Sequence, residues 1–142
     1  MATIKTFEDI EAWKKARKLA DEIFQVFLRA DAKHDFALKD QTNRSIGSVM
    51  DNIAEGFERG GNKEFIQFLF IAKGSAGETR SQLCRMLDRN YITIKEFEDL
   101  TTELIASSKM IMRLIEYLKH SDLRGDKFHE PDMPYGSPNL EP

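Results

Sequence analysis

An antiparallel, up-down-up-down four-helix bundle is the fold class this sequence predicts, and three observations predict it. Four stretches repeat apolar residues at steps of three and four, and none shows the strict alternation of a half-exposed strand. The links between them are short: residues 30–35 (ADAKHD), then Arg59-Gly60-Gly61, then a few residues around Tyr91. Links of that length force sequential helices to run antiparallel. With 142 residues, 41% hydrophobic and 32% charged, the chain also has the size and composition of one soluble domain with its own core.

The first helix is expected to begin near Thr6, with Glu8, Asp9 and Glu11 in its opening turn, where acids favour a helix N-terminus. Ile10, Trp13, Ala16, Ala20, Ile23 and Phe27 form its buried stripe. The second runs from about Phe36 to Glu58 on Ile46, Val49, Ile53 and Phe57, with Met50 and Ala54 beside them. Asn62 is a good N-cap for the third, which runs to about Asn90 with Phe65, Phe68, Ala72, Ala76, Thr79, Leu83 and Met86 in line. The fourth opens on Thr93-Ile94-Lys95-Glu96, a capping-box pattern, and repeats Phe97, Leu100, Leu104, Ser108, Ile111, Ile115 and Leu118. These elements place the bundle at residues 1–120. Residues 121–142, with Pro131, Pro134 and Pro138 and five acids against Arg124 and Lys127, read as a non-helical acidic tail.

Glycine inside a helix costs about 1 kcal/mol against alanine, so Gly47, Gly56, Gly74 and Gly77 together cost roughly 3 to 4 kcal/mol unless packing offsets it. If the second and third helices fold back about Gly60 and Gly61, residues whose numbers sum to about 121 face one another. Gly47 then lies opposite Gly74, with Gly77 near the same seam, in a small-on-small crossing that lets two backbones approach. The same arithmetic pairs Arg44 with Glu78. In the run FIQFLFIA, Ile66, Phe70 and Ile71 fall partly or wholly off the single stripe that one core accepts. An apolar surplus of that kind marks a subunit interface, the alternative being that the tail or the first helix folds over these residues within a single chain.

The net charge of −3 resides in the tail, because residues 1–120 carry nineteen charges of each sign. A neutral body lacks the global signature of a dedicated nucleic-acid binder and leaves only local basic faces for that role. There is no apolar run of membrane-spanning length and no signal-peptide pattern. The lone Cys84 cannot form an internal disulfide. A cytoplasmic protein with no cofactor and no membrane partner is expected.

Several strings resemble a known family. Phe7-Glu-Asp-Ile-x-Ala-Trp-Lys-Lys-Ala16, Gln41 with Arg44, the string from Asn52 to Arg59 (NIAEGFER) and that from Phe68 to Ser75 (FLFIAKGS) are similar to bacterial four-helix-bundle proteins of 23S ribosomal-RNA intervening sequences. The accessory variability proteins of diversity-generating retroelements are relatives. The resemblance covers about residues 6 to 118. It departs at Asn43, where the family often has a second arginine beside Arg44, and the acidic tail lies outside the shared core. The resemblance implies a left-handed bundle assembling as a ring, typically a homopentamer, with no catalytic activity assigned. Retroelement members bind nucleic acid and a reverse transcriptase through a basic surface.

Two basic groups are candidates for nucleic acid. Lys14, Lys15, Arg17 and Lys18 follow Trp13 directly, an aromatic-and-cation pattern suited to a polyanion. Arg44 and Arg59 lie along the second helix with Asp51 and Glu55, where guanidinium forks suit phosphate and i,i+4 charge pairs suit a solvated face. Asp51 and Glu55 have no nucleophile or histidine at helical spacing, which argues against acid–base catalysis. Gly60-Gly61-Asn62-Lys63 lacks the spacing of a phosphate loop. His34, His120 and His129 are scattered, so no metal site is expected. Arg113 and His120 look like the arginine-histidine motif of HEPN ribonucleases, the least favoured reading. The expected function is a non-enzymatic homo-oligomeric scaffold or adaptor, with nucleic acid or an unidentified protein as a further partner.

Overall fold

The computed structural model describes residues 3–121 and the backbone of residues 128–129. Apart from Ser121 and that pair, the expected tail lies outside the described residues. The elements in order are a short strand β1 (Thr3–Ile4), a 3-10 turn (Phe7–Asp9), α1 (Glu11–Val26), α2 (Phe36–Glu58), α3 (Asn62–Asp88), α4 (Ile94–Lys119) and β2 (Phe128–His129). α2 packs on α1 and α3, and α4 packs on α3 and α1, so the helices close a four-cornered bundle. β1 and β2 pair antiparallel, Thr3 with His129 and Ile4 with Phe128, a contact that no sequence period announced.

α1 begins later than expected. The Asp9 carboxylate accepts from the backbone N–H groups of Lys5 (2.9 Å) and Thr6 (3.1 Å), which closes a separate turn before Ile10 resumes extended backbone. Those two N–H groups, Lys5 first, hold the Asp9 carboxyl below its ordinary pKa. Ala12, Ala16, Leu19, Ile23 and Val26 then face the core with Ile10 and Phe27. Trp13 and Ala20, assigned to that stripe from sequence, sit half-buried at its edge.

α2 spans the expected residues. Asp35 caps it, accepting from the Leu38 N–H at 3.3 Å, and Leu38, Ile46, Val49 and Ile53 are buried. Phe57, Met50 and Ala54 are half-buried. Gly60 turns the chain at φ +84, a left-handed conformation that favours glycine. Asn62 does not cap α3: Gly61 holds the cap position, and the Asn62 side-chain amide donates across the bundle to the carbonyls of Leu118 (3.0 Å) and Ser121. The capping box of α4 forms, with Glu96 N–H donating to Thr93 Oγ1 at 3.1 Å and Thr93 N–H to Glu96 Oε1 at 2.9 Å.

The α2–α3 seam corrects the glycine reading. A Cβ placed on Gly47, Gly74 or Gly77 would meet nothing within 4 Å, so none of the three marks a close crossing within the chain. The close approach is at Gly56, where a Cβ would lie 2.6 Å from Phe68 Cβ and 3.0 Å from Phe65 Cδ1. What keys the seam is polar. Ser45 Oγ lies 2.7 Å from Thr79 Oγ1 and donates to Gln82 Oε1 at 2.6 Å, and Ser48 Oγ lies 2.8 Å from Ser75 Oγ. These facing numbers sum to about 124 rather than 121, nearly one helical turn of difference.

Two acid hubs tie the pole where the α1–α2 and α3–α4 links meet. Asp35 accepts from Arg89 Nη1 (2.6 Å) and the Tyr91 hydroxyl (2.8 Å). Arg29 forks onto Glu96 at 2.6 and 3.1 Å and reaches the Tyr91 carbonyl at 3.2 Å.

Candidate functional site

Exposed apolar surface is the first feature left over by the fold. On α3, Phe70 and Ile71 are 46% and 52% exposed, whereas Ile66 is half-buried against the core. The Lys119 ammonium of α4 lies 5.9 Å from the Phe70 ring centre, which puts Phe70 toward the α3–α4 side. Gly74 and Gly77 follow Phe70 at steps of four and three on the same outer face, both exposed.

Sequence reasoning missed a second apolar group. Phe24 and Leu28, one turn apart at the end of α1, are 43% and 52% exposed, and Phe36 at the start of α2 is 67% exposed. Lys39 of α2 lies 6.0 Å over the Phe24 ring, so these side chains flank the α1–α2 seam. The signal was present: Phe24 and Leu28 each stand one position beyond the buried pair Ile23 and Phe27, on a parallel i,i+4 row that one core cannot accept. In the four-cornered bundle the α1–α2 seam is opposite the α3–α4 seam.

The basic candidates are placed but largely neutralised. Lys14 pairs with Glu11 at 3.3 Å, Lys15 with Glu103, and Lys18 with Glu22 at 3.9 Å. Arg44 pairs with Asp40 on its own helix at 3.3 Å, in place of the expected Glu78. Arg59 pairs with Glu55 at 2.8 Å and lies 5.2 Å over the Phe68 ring. Arg17 stacks 5.7 Å from the Trp13 ring centre. The two basic groups therefore lie on different helices, interleaved with acids rather than gathered into one positive field.

Arg113 is half-buried, while His120 is exposed and ends α4, its N–H donating to the Tyr117 carbonyl at 3.2 Å. Among the described residues, no cluster of three or more His, Cys, Asp or Glu is placed to hold a metal ion. Cys84 is exposed. No described helix is long and apolar enough to cross a membrane.

A crystal structure of a protein with unknown function from the S23 ribosomal protein family of Bacteroides thetaiotaomicron has a similar fold. It matches with a TM-score of 0.67 at 24% identity, covering 74% of this chain and 98% of that one. No curated protein matches the sequence. The family described as 23S rRNA-intervening sequence protein matches residues 8–113, a span that takes in α1, α2, α3 and most of α4. The four-helix bundle described above thus belongs to the 23S rRNA-intervening sequence protein family.

Proposed function

We propose that the protein is a non-enzymatic, cytoplasmic scaffold or adaptor that works as a closed ring of identical subunits. The observation that carries this reading is the pair of unlike apolar patches on opposite sides of the bundle, Phe24, Leu28 and Phe36 on one and Phe70 and Ile71 on the other. Exposed apolar patches of this kind favour burial against a partner. Two different patches on opposite faces suit a heterologous contact, in which the α1–α2 seam of one subunit meets α3 of the next, and such contacts close into rings. Gly74 and Gly77 support the same reading, because their open outer face lets a neighbouring helix come close. The proposed copy number, five, rests on the family resemblance alone.

The absence of a nucleophile–base pairing around Asp51 and Glu55 supports a binding role rather than catalysis. Light scattering of the purified protein tests the proposal. A native mass near five times the 16.4 kDa chain is expected, and a monomer at micromolar concentration would overturn the ring.

A further inference from the structure

Three glycines inside helices have no packing reason within the chain. Glycine weakens a helix relative to alanine, and a close backbone contact offsets the loss. Gly56 has that contact with Phe65 and Phe68, whereas a Cβ on Gly47, Gly74 or Gly77 would meet nothing within 4 Å. Gly47 continues the row of Phe36, Asp40 and Asn43 at steps of four, three and four, on the side of α2 that holds an open groove of about 510 Å³. Gly74 and Gly77 continue the row of Phe70 on the outer face of α3. Those two faces lie on opposite flanks of the bundle.

Their levels match. The Ser48 and Ser75 hydroxyls, 2.8 Å apart, tie α2 to α3, so Gly47 stands within about 3 Å of both Gly74 and Gly77 along the bundle axis. A rotation that closes a ring moves nothing along the ring axis, so bundles standing along that axis touch only at equal levels. It also keeps the direction of every subunit, so α2 of one runs antiparallel to α3 of the next. Charge fits the same register. Among the described residues neither Lys73 nor Asp51 takes part in an ion pair. With Gly47 opposite Gly77, Lys73 and Asp51 fall at one level with opposite signs, each four residues from its glycine. Ser81 then falls level with Asn43, where the α2 groove opens, and presents only a small side chain to it.

We propose that the subunits stand with their helices along the ring axis and that Gly47 of each lies against Gly74 and Gly77 of the next, α2 crossing α3 antiparallel at the middle of the contact. The occupant of the α2 face is a second copy of this chain. This inference rests on the ring reading above and adds to it the surfaces that touch and their register. Phe70 and Ile71 lie about one turn to one side of the crossing and Phe36 about three turns to the other, so both ends of the contact are apolar. The small-on-small crossing that the glycines suggest in sequence is then made between subunits.

Cysteines at the glycines read the contact directly, since they meet open space within the subunit. With the exposed Cys84 changed to serine, G47C/G77C should form disulfide-linked ladders beyond two chains on mild oxidation. N43C/F70C in the same background, on the same faces but about three turns out of register, should stay as single chains. G77L, which fills the crossing, should weaken assembly by at least about tenfold in concentration while helix content stays unchanged. D51K and K73D should each weaken it and restore it when combined. If the unaltered protein assembles while G77L assembles equally well and G47C/G77C stays unlinked, this contact is overturned and the ring stands. Linkage that stops at two chains overturns it as well. An unaltered protein that is monomeric overturns both readings.

Discussion

Gly56 faces Phe68 so closely that a Cβ on the glycine would stand 2.6 Å from Phe68 Cβ, a distance that real Cβ contacts essentially never show. Phe68 cannot swing aside, because the clashing atom is the root of its side chain. Gly56→Ala should therefore destabilise the fold by about 1–3 kcal/mol through overpacking. Gly74→Ala and Gly77→Ala meet open space, and each should stabilise the isolated subunit by about 0.5–1 kcal/mol. Urea unfolding of the three variants checks the opposite signs.

The buried Ser45 hydroxyl serves two partners on α3, Thr79 and Gln82, and Gln82 is only 3% exposed. Removing that hydroxyl leaves Gln82 Oε1 without its donor in a place water does not reach. Ser45→Ala should cost about 1–3 kcal/mol, whereas Ser45→Ala combined with Gln82→Leu should cost less than the sum of the two single changes. A double-mutant cycle by chemical denaturation measures the coupling.

Glu96 joins α4 to the α1–α2 link through Arg29, and the Arg29 guanidinium, with help from the Thr93 N–H, pulls its carboxyl from 4.5 to about 2. The folded pKa lies below the unfolded one, so the contribution to stability is full above about pH 4.5. It is lost progressively as the pH falls toward about 2. Asp35 acts in the same direction: burial pushes its carboxyl up, but hydrogen bonds from Tyr91 and Arg89 outweigh this and hold it below its ordinary value. Glu96→Gln should flatten the acid limb of a plot of melting temperature against pH and leave the neutral region nearly parallel.

If the two apolar patches meet one another, each can be disabled separately. Ile71→Glu and the double variant F24E/L28E should each lower the native mass to that of a monomer while the helix content stays unchanged, since all three side chains are exposed. Mixed together, the two variants retain one intact face apiece and should form a dimer that grows no further. Recovery of the full assembly on mixing, or no dimer at all, would show that the faces do not pair in this way.

Helix existence was legible because every helix carries its own apolar period. α2 and α4 begin and end within a residue or two of expectation, since the Thr93–Glu96 box and the Gly60 turn act over a few residues. Register between helices was not legible. The glycines suggested one alignment, and the hydroxyls of Ser45, Ser48, Ser75 and Thr79 enforce another, because buried donors must find partners and absent side chains need nothing. Asn62 illustrates the same limit. Its amide looked like a local cap and instead reaches fifty-six residues along the chain to Leu118.

Surface was harder to read than core. Phe70 and Ile71 stood out because they interrupt a crowded apolar run, and both are exposed. Phe24 and Leu28 were overlooked because they sit beside a legitimate core pair. The six candidate cations could be named from sequence, but their neutralising acids could not all be: Glu103 reaches Lys15 from another helix altogether.

The β1–β2 pairing gives the molecule a head and a foot. The strand Thr3–Ile4, the start of α1 and the end of α4 gather at one end, and the tied links around Asp35 and Glu96 occupy the other. A cyclic assembly repeats that direction in every subunit, so its two rims are chemically unlike. In such a ring one rim would carry the paired chain segments of every copy, and the other would carry a row of Ile94, 68% exposed in the single subunit. Anything that caps such a ring would approach it from one side only.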